Sequence, residues 1–262
     1  MNYRTLFSLL PLLIIALLPI PPASAAPITT MGEAINQAGR QRMLTQRIVK
    51  SYCQMGQDVR YLVAAEDLTA AIALFEQQLE NLKRYVDDGE ILRTLDRVEA
   101  LWQPVKQIAT DDVSRDQAES LRALAETLLA SAHKVVLQLE RKSGSSQGHL
   151  VNIAGRQRML TQRMGSLYLL RSWGFDNPRY RADYEQAMRE FDSALQELMS
   201  APENTPEINR ELKKVAQNWA MYKLGNRTGE GRYVPTLVVR MLDKMLVQMN
   251  RITGMYARLP AG

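Results

Sequence analysis

A chain of 262 residues that is 46% hydrophobic and 23% charged can bury a sizeable core, so a disordered polymer is excluded. A formal net charge of +5 is mild, and gives no ground for a nucleic-acid partner. Cys53 is the single cysteine, which excludes an internal disulfide framework, and His133 and His149 are not at metal-ligand spacing.

The first element reads as an export signal over residues 1–25. Arg4 precedes an apolar run, Leu6 to Ile20, broken by Pro11 and Pro19, and Ala23-Ser24-Ala25 follows as a small-residue cleavage site. The run is shorter than the roughly 20 residues a membrane span needs. Cleavage near Ala25 and a periplasmic destination are expected, with retention of the segment as a membrane anchor the alternative.

Leu, Ala, Met, Gln and Glu dominate the remainder, which favours helix. Eight helices are predicted, near 31–56, 58–86, 90–109, 114–142, 147–173, 178–200, 206–224 and 233–259. Asp87-Asp88-Gly89 and Thr110-Asp111-Asp112 supply breaks, while Pro178 and Pro206 suit first-turn positions after the caps Asn177 and Thr205. Ile91, Leu95, Val98 and Trp102 share one face, as do Phe75, Leu79, Leu82 and Val86, so these residues are read as core. Residues 142–148 form a Ser/Gly-rich linker, unless helix spans them.

The sequence Ala-Gly-Arg-Gln-Arg-Met-Leu-Thr-Gln-Arg occurs unchanged at 38–47 and at 154–163, with Asn36 and Asn152 preceding the two copies at equal distance. The offset continues through Tyr52/Tyr168 and Phe75/Phe191. It then lengthens by one residue, giving Trp102/Trp219 and His133/Asn250. The chain is therefore an internal duplication, with a unit at 26–143 and another at 144–262. The fold expected is all-α: two tandem four-helix bundle units packed as a pseudo-dimer.

Helical spacing puts Ile35, Ala38, Arg42, Val49 and Cys53 on one stripe, and Val151, Ala154, Arg158, Gly165 and Leu169 on its counterpart. Arg42 and Arg158 thus lie in apolar, small-residue faces. Burying a guanidinium alone costs several kcal/mol. Yet residues 34–57 and 141–175 contain no Asp or Glu, so no local acid is at hand. Either acids arrive from other helices or a bound anion supplies the charge. Gly39 and Gly155 leave room for close approach. If the two copies pack together, the paired arginines could clamp one small planar oxyanion. Asn36, Asn152, Arg40, Arg156, Arg47 and Arg163 are read as supporting residues. The paired histidine and asparagine, His133 and Asn250, are read as a polar helix position, and His149 as solvated.

Asn-x-Ala-Gly-Arg-Gln-Arg-Met-Leu-Thr-Gln-Arg resembles the signature of the PilJ-type sensor domain, found at the N-terminus of type IV pilus chemotaxis transducers. It is also similar to the P-box of the NarX and NarQ nitrate–nitrite sensor kinases. The resemblance implies a four-helix sensor that dimerises and holds nitrate between paired P-box helices. By it the anion-contacting arginine falls on Arg42 and on Arg158, beside Gly39 and Gly155, and the tandem imitates the sensor dimer in one chain. Arg40 and Arg156 stand where those nitrate sensors carry a smaller residue.

No Ser/His/Asp set, nucleophile elbow, P-loop or HExxH is present, so no enzyme, catalytic residue, metal or cofactor is expected. The function expected is a periplasmic sensing module for a small inorganic anion, nitrate or nitrite first. No kinase or methyl-accepting region is expected after the duplication, and on that expectation signalling would require a membrane-bound sensor kinase or chemoreceptor as partner. Two alternatives stand beside it: a module that pairs with receptor domains through the same helices, and a structural protein whose arginines are neutralised internally.

Overall fold

The computed structural model describes residues 27–228 and 233–260, with the side chains of 226–228 excepted. The proposed signal segment lies outside the described residues. The helices are α1 (Met31–Gly56), α2 (Tyr61–Tyr85), α3 (Gly89–Thr110), α4 (Arg115–Ser143), α5 (Ser146–Ser172), α6 (Pro178–Ser200), α7 (Pro206–Thr228) and α8 (Pro235–Tyr256). No strand occurs among the described residues.

Local chemistry accounts for where the helices begin. Thr30, Asp88, Ser114, Ser145 and Asn177 each accept a first-turn N–H, and Glu33 reaches back to the Thr29 N–H at 2.9 Å. The linker is shorter than expected. Gly144, left-handed at φ 60°, closes α4, and Ser145 caps α5 immediately afterwards. The α1–α2 connection also differs from expectation. Asp58 and Arg60 are left-handed, at φ 53° and 54°, so α2 starts at Tyr61 rather than at Asp58. Gln54 holds that turn, accepting the Val59 N–H on its carbonyl at 2.8 Å and donating from Nε2 to the Val59 carbonyl at 3.1 Å.

The helices form two four-helix units that share a central pair. α1 packs on α2 and α4, with α3 closing the first unit; α5 packs on α6 and α8, with α7 closing the second. The broadest contact in the molecule is α1 against α5. These two run parallel, since Gly32 lies beside Gln147, Gly39 beside Gly155, Gly165 beside Lys50, and Gly56 beneath Trp173. A pseudo-twofold axis parallel to the helices relates the halves.

Equivalent packing recurs on both sides of that axis. Phe75 stacks on Trp102 at 4.2 Å between ring centres, and Phe191 packs tilted against Trp219 at 4.4 Å. Trp102 Nε1 donates to Glu76, which also accepts from Lys106; Trp219 Nε1 donates to Asp192, which also accepts from Lys223. Such a buried aromatic pair is worth about 0.5–1.5 kcal/mol beyond its area term. The Gln41 amide donates to the Phe75 carbonyl, and the Gln157 amide to the Phe191 carbonyl, at 2.9 and 2.8 Å. These contacts fix the axial register of α1 and α5 against their own bundles, and hence the height at which the repeated arginines meet.

Candidate anion site

Because α1 and α5 are enclosed by other helices, the repeated block is buried on nearly every side. Gln41, Arg42, Thr45, Gln46 and their copies Gln157, Arg158, Thr161 and Gln162 are all buried, with Arg42 at 1% and Arg158 at 0% exposure. The glycines set the crossing. A Cβ built on Gly39 would lie 3.9 Å from the Gly155 Cα, and one on Gly155 would lie 3.8 Å from the Gly39 Cα. The two backbones therefore meet at these residues.

The guanidiniums converge on that point. Nη2 of Arg42 and Nη2 of Arg158 each lie 3.3 Å from the place a Cβ would take on Gly39. From the corresponding place on Gly155 they lie 3.3 and 3.2 Å away. Each arginine reaches a backbone carbonyl of the other half and a side chain of its own. Arg42 donates from Nη2 to the Asn152 carbonyl at 3.1 Å and from Nη1 to Asn152 Oδ1 at 2.8 Å. Arg158 donates from Nη2 to the Asn36 carbonyl at 3.1 Å and from Nη1 to Asn250 Oδ1 at 3.3 Å. The Arg42 Nη1 also donates to His133 Nδ1 at 3.0 Å. Since guanidinium can only donate, that ring nitrogen is the acceptor and the imidazole is neutral, with its proton on Nε2.

Every one of these partners is uncharged. Glu140 reaches Arg42 only through Asn152, whose Nδ2 donates to Glu140 Oε2 at 2.6 Å. Nε of Arg42, Nε of Arg158 and Oδ1 of Asn36 are buried without a hydrogen-bond partner among the described residues. Burial, with repulsion from Arg156 and against attraction from Glu140, pushes the Arg42 guanidinium down to about 9. Burial, Arg40 and Arg42 push Arg158 well down. His133 is pushed down to about 4 by burial, then by Arg42 and Arg156, against Glu140 and Glu190. The site is thus a pair of like charges in a low-dielectric seam, held by neutral acceptors and carrying spare N–H donors.

The supporting arginines behave differently. Arg47 pairs with Asp67, Arg156 with Glu190 at 2.7 Å, and Arg163 with Glu126 at 2.8 Å. Arg40 has no ion pair among the described residues, and burial lowers its pKa. Its repeat mate meets Glu190, whereas the first half has Leu74 at the matching position. Cys53 is buried, and burial pushes its thiol up to about 12. His149 is exposed, as read, and bridges Glu140 and Glu197 at 2.6 and 3.1 Å. The sequence reading did not anticipate His133 and Asn250 as partners of the arginines, although their pairing across the repeat was the available signal. No His, Cys, Asp and Glu group suited to a metal occurs among the described residues.

The model of the PilJ family, described as "Type IV pili methyl-accepting chemotaxis transducer N-term", matches residues 28–128 and again 141–223. The chain belongs to the PilJ family. Membership places it among signalling sensor domains of the chemotaxis-transducer type, and the two matched segments fall on the two halves of the duplication. The chain is also 33% identical over 99 residues to methyl-accepting chemotaxis protein McpN of Pseudomonas aeruginosa, covering 36% of this chain and 18% of that protein. It therefore spans under a fifth of that relative's length. No solved structure matches the chain. Among the described residues, no helix of this PilJ protein is long and apolar enough to cross a membrane.

Proposed function

We propose that this PilJ protein is a sensing module that holds one small planar oxyanion, of the nitrate or nitrite class, between Arg42 and Arg158 at the Gly39–Gly155 crossing. The observation that carries this reading is the convergence of two fully buried guanidiniums that contact no carboxylate. Two like charges in this setting repel, and desolvation costs each several kcal/mol. A monovalent oxyanion on the pseudo-twofold axis converts that repulsion into charge-assisted hydrogen bonds. Planarity matches the fork of the guanidinium.

The alternatives fare less well on the same geometry. An internally neutralised structural role calls for acids at Arg42 and Arg158, and their partners are neutral. A receptor-pairing role through the block calls for a free α1 or α5 face, and these faces are already packed against each other. Any partner, whether a sensor kinase or chemoreceptor, would engage the outer helices. A periplasmic location after removal of residues 1–25 is part of the proposal, since a soluble tandem sensor there could present an anion-dependent surface to a membrane receptor.

The test is thermal unfolding of the purified chain against nitrate, nitrite, sulfate and chloride at fixed ionic strength. Nitrate or nitrite is expected to raise Tm in the native chain and to leave Arg42→Ala and Arg158→Ala unmoved. Equal responses to all four anions, or an unchanged response in both variants, would contradict the reading.

A further inference from the structure

Side chains exposed to 1% and 0% need a route to solvent if an ion is to exchange with them. A cavity of about 250 Å³ between α4, α5 and α6 reaches the first of them, since its wall includes Arg42 and His133. Ala130 and Gln186, both exposed, stand at its rim, and Arg156 lines it. Its three carboxylates are each committed to an arginine. Glu190 accepts from Arg156 at 2.7 Å, Glu126 from Arg163 at 2.8 Å, and Asp183 from Arg122 at 2.9 Å. The passage therefore presents no uncompensated negative charge to an approaching anion.

The pseudo-equivalent face, on the Arg158 side, is built differently. There the repeat sets Asn250 for His133, Val247 for Ala130, Leu74 for Glu190 and Arg40 for Arg156. Val247 is 68% exposed and bulkier than Ala130, and Leu74 packs against the core instead of holding Arg40 in an ion pair. The duplication has kept the two arginines alike and let the ground outside them diverge.

We propose that the oxyanion enters and leaves through this cavity, passing Ala130 and Gln186 at the rim and then Arg156 and His133 inside, so that a nearly symmetric site is served from one side. The inference rests on the paired-arginine reading. His133 is the inner wall: its neutral ring holds Arg42 Nη1 at 3.0 Å and yields that donor as the anion arrives. Arg156 is the intermediate contact, released from Glu190 as the ion passes.

A plug at the rim lies outside the bound state. It must slow entry and exit by the same factor and leave the dissociation constant unchanged. Ala130→Cys and Val247→Cys, each coupled to a bulky maleimide, supply the plug and its control on the opposite face. Cys53 does not compete, because it is buried and its thiol is pushed up to about 12. The probe is nitrate, and the readout is exchange broadening of the His133 imidazole in histidine-labelled protein, which has only two histidines to resolve. The adduct at position 130 is expected to lower both rates about tenfold with Kd unchanged, and the adduct at 247 to change neither. Glu190→Gln, which frees Arg156, is expected to raise the association rate about threefold at low salt. Normal exchange with the adduct at 130, or equal slowing with the adduct at 247, would overturn the one-sided entrance while leaving the binding site standing. Absence of any nitrate-dependent shift in the unmodified chain would overturn the binding reading, and the entrance with it.

Discussion

Arg158→Met exchanges a fully buried guanidinium for an unbranched apolar side chain of similar reach. Arg158 gives one hydrogen bond to the Asn36 carbonyl at 3.1 Å and a long one to Asn250 Oδ1 at 3.3 Å, and its Nε has no partner. Two bonds from a charged donor contribute about 3–6 kcal/mol together at best. The residual penalty for burying the ion is of the same size, several kcal/mol, and repulsion from Arg42 adds to it. The balance tips toward the variant. In buffer free of small oxyanions, Arg158→Met is expected to unfold no earlier than the native chain, with a gain of up to about 2 kcal/mol, or some 4–8 °C in Tm at this chain length. Nitrate at a hundredfold excess over Kd then stabilises the native chain by about 2.7 kcal/mol and the variant not at all, reversing their order. Thermal and urea unfolding with and without nitrate measure both halves. A loss of about 3–5 kcal/mol in the anion-free state is the signature of a broken buried ion pair, and it would refute the reasoning.

Other perturbations follow from the same geometry. Gly39→Ala puts a methyl 3.3 Å from both Nη2 atoms while improving helix propensity; stability is expected to hold, and nitrate affinity measured by calorimetry to fall about tenfold, the scale of one disturbed charge-assisted bond. Glu126→Gln removes the carboxylate that accepts from Gln46, Arg122 and Arg163, and Arg122 is almost fully buried; urea unfolding is expected to show a loss of about 3 kcal/mol. His133 charges near 6.5 in the unfolded chain but only near 4 in the folded one, so the unfolded state binds more protons between those values. Its contribution to stability is therefore lost as pH falls from 6.5 to 4 in the anion-free protein. Bound nitrate should raise that pKa, and nitrate affinity should rise as pH falls, which an NMR titration of the His133 ring checks directly.

Much of this was legible in the chain itself. Helix periodicity places α1, and the Asn177-Pro178 pair places α6, at their observed ends, because these signals act locally. The exact duplication, with the acid-free windows around it, singles out Arg42 and Arg158 before any contact is known. The turn at Asp58 and Arg60 was not legible, since neither residue type demands a left-handed backbone and Gln54 supplies the compensation from within α1. Nor was the environment of the arginines. His133 and Asn152 lie 91 and 110 residues from Arg42, and the packing of α4 on α1 brings the first to it, that of α5 on α1 the second. Arg40 and Arg156 are identical in sequence context but differ in pairing, because the decisive neighbour, Leu74 or Glu190, sits on another helix.

The central claim is one oxyanion shared by two arginines from the two halves of the duplication. Isothermal titration of the intact chain with nitrate tests it most directly, since it reports stoichiometry as well as affinity. One nitrate per chain, abolished by Arg42→Ala and equally by Arg158→Ala, is the predicted result. Two nitrates per chain, each lost with only one arginine, or no saturable heat from the folded protein, would contradict the account.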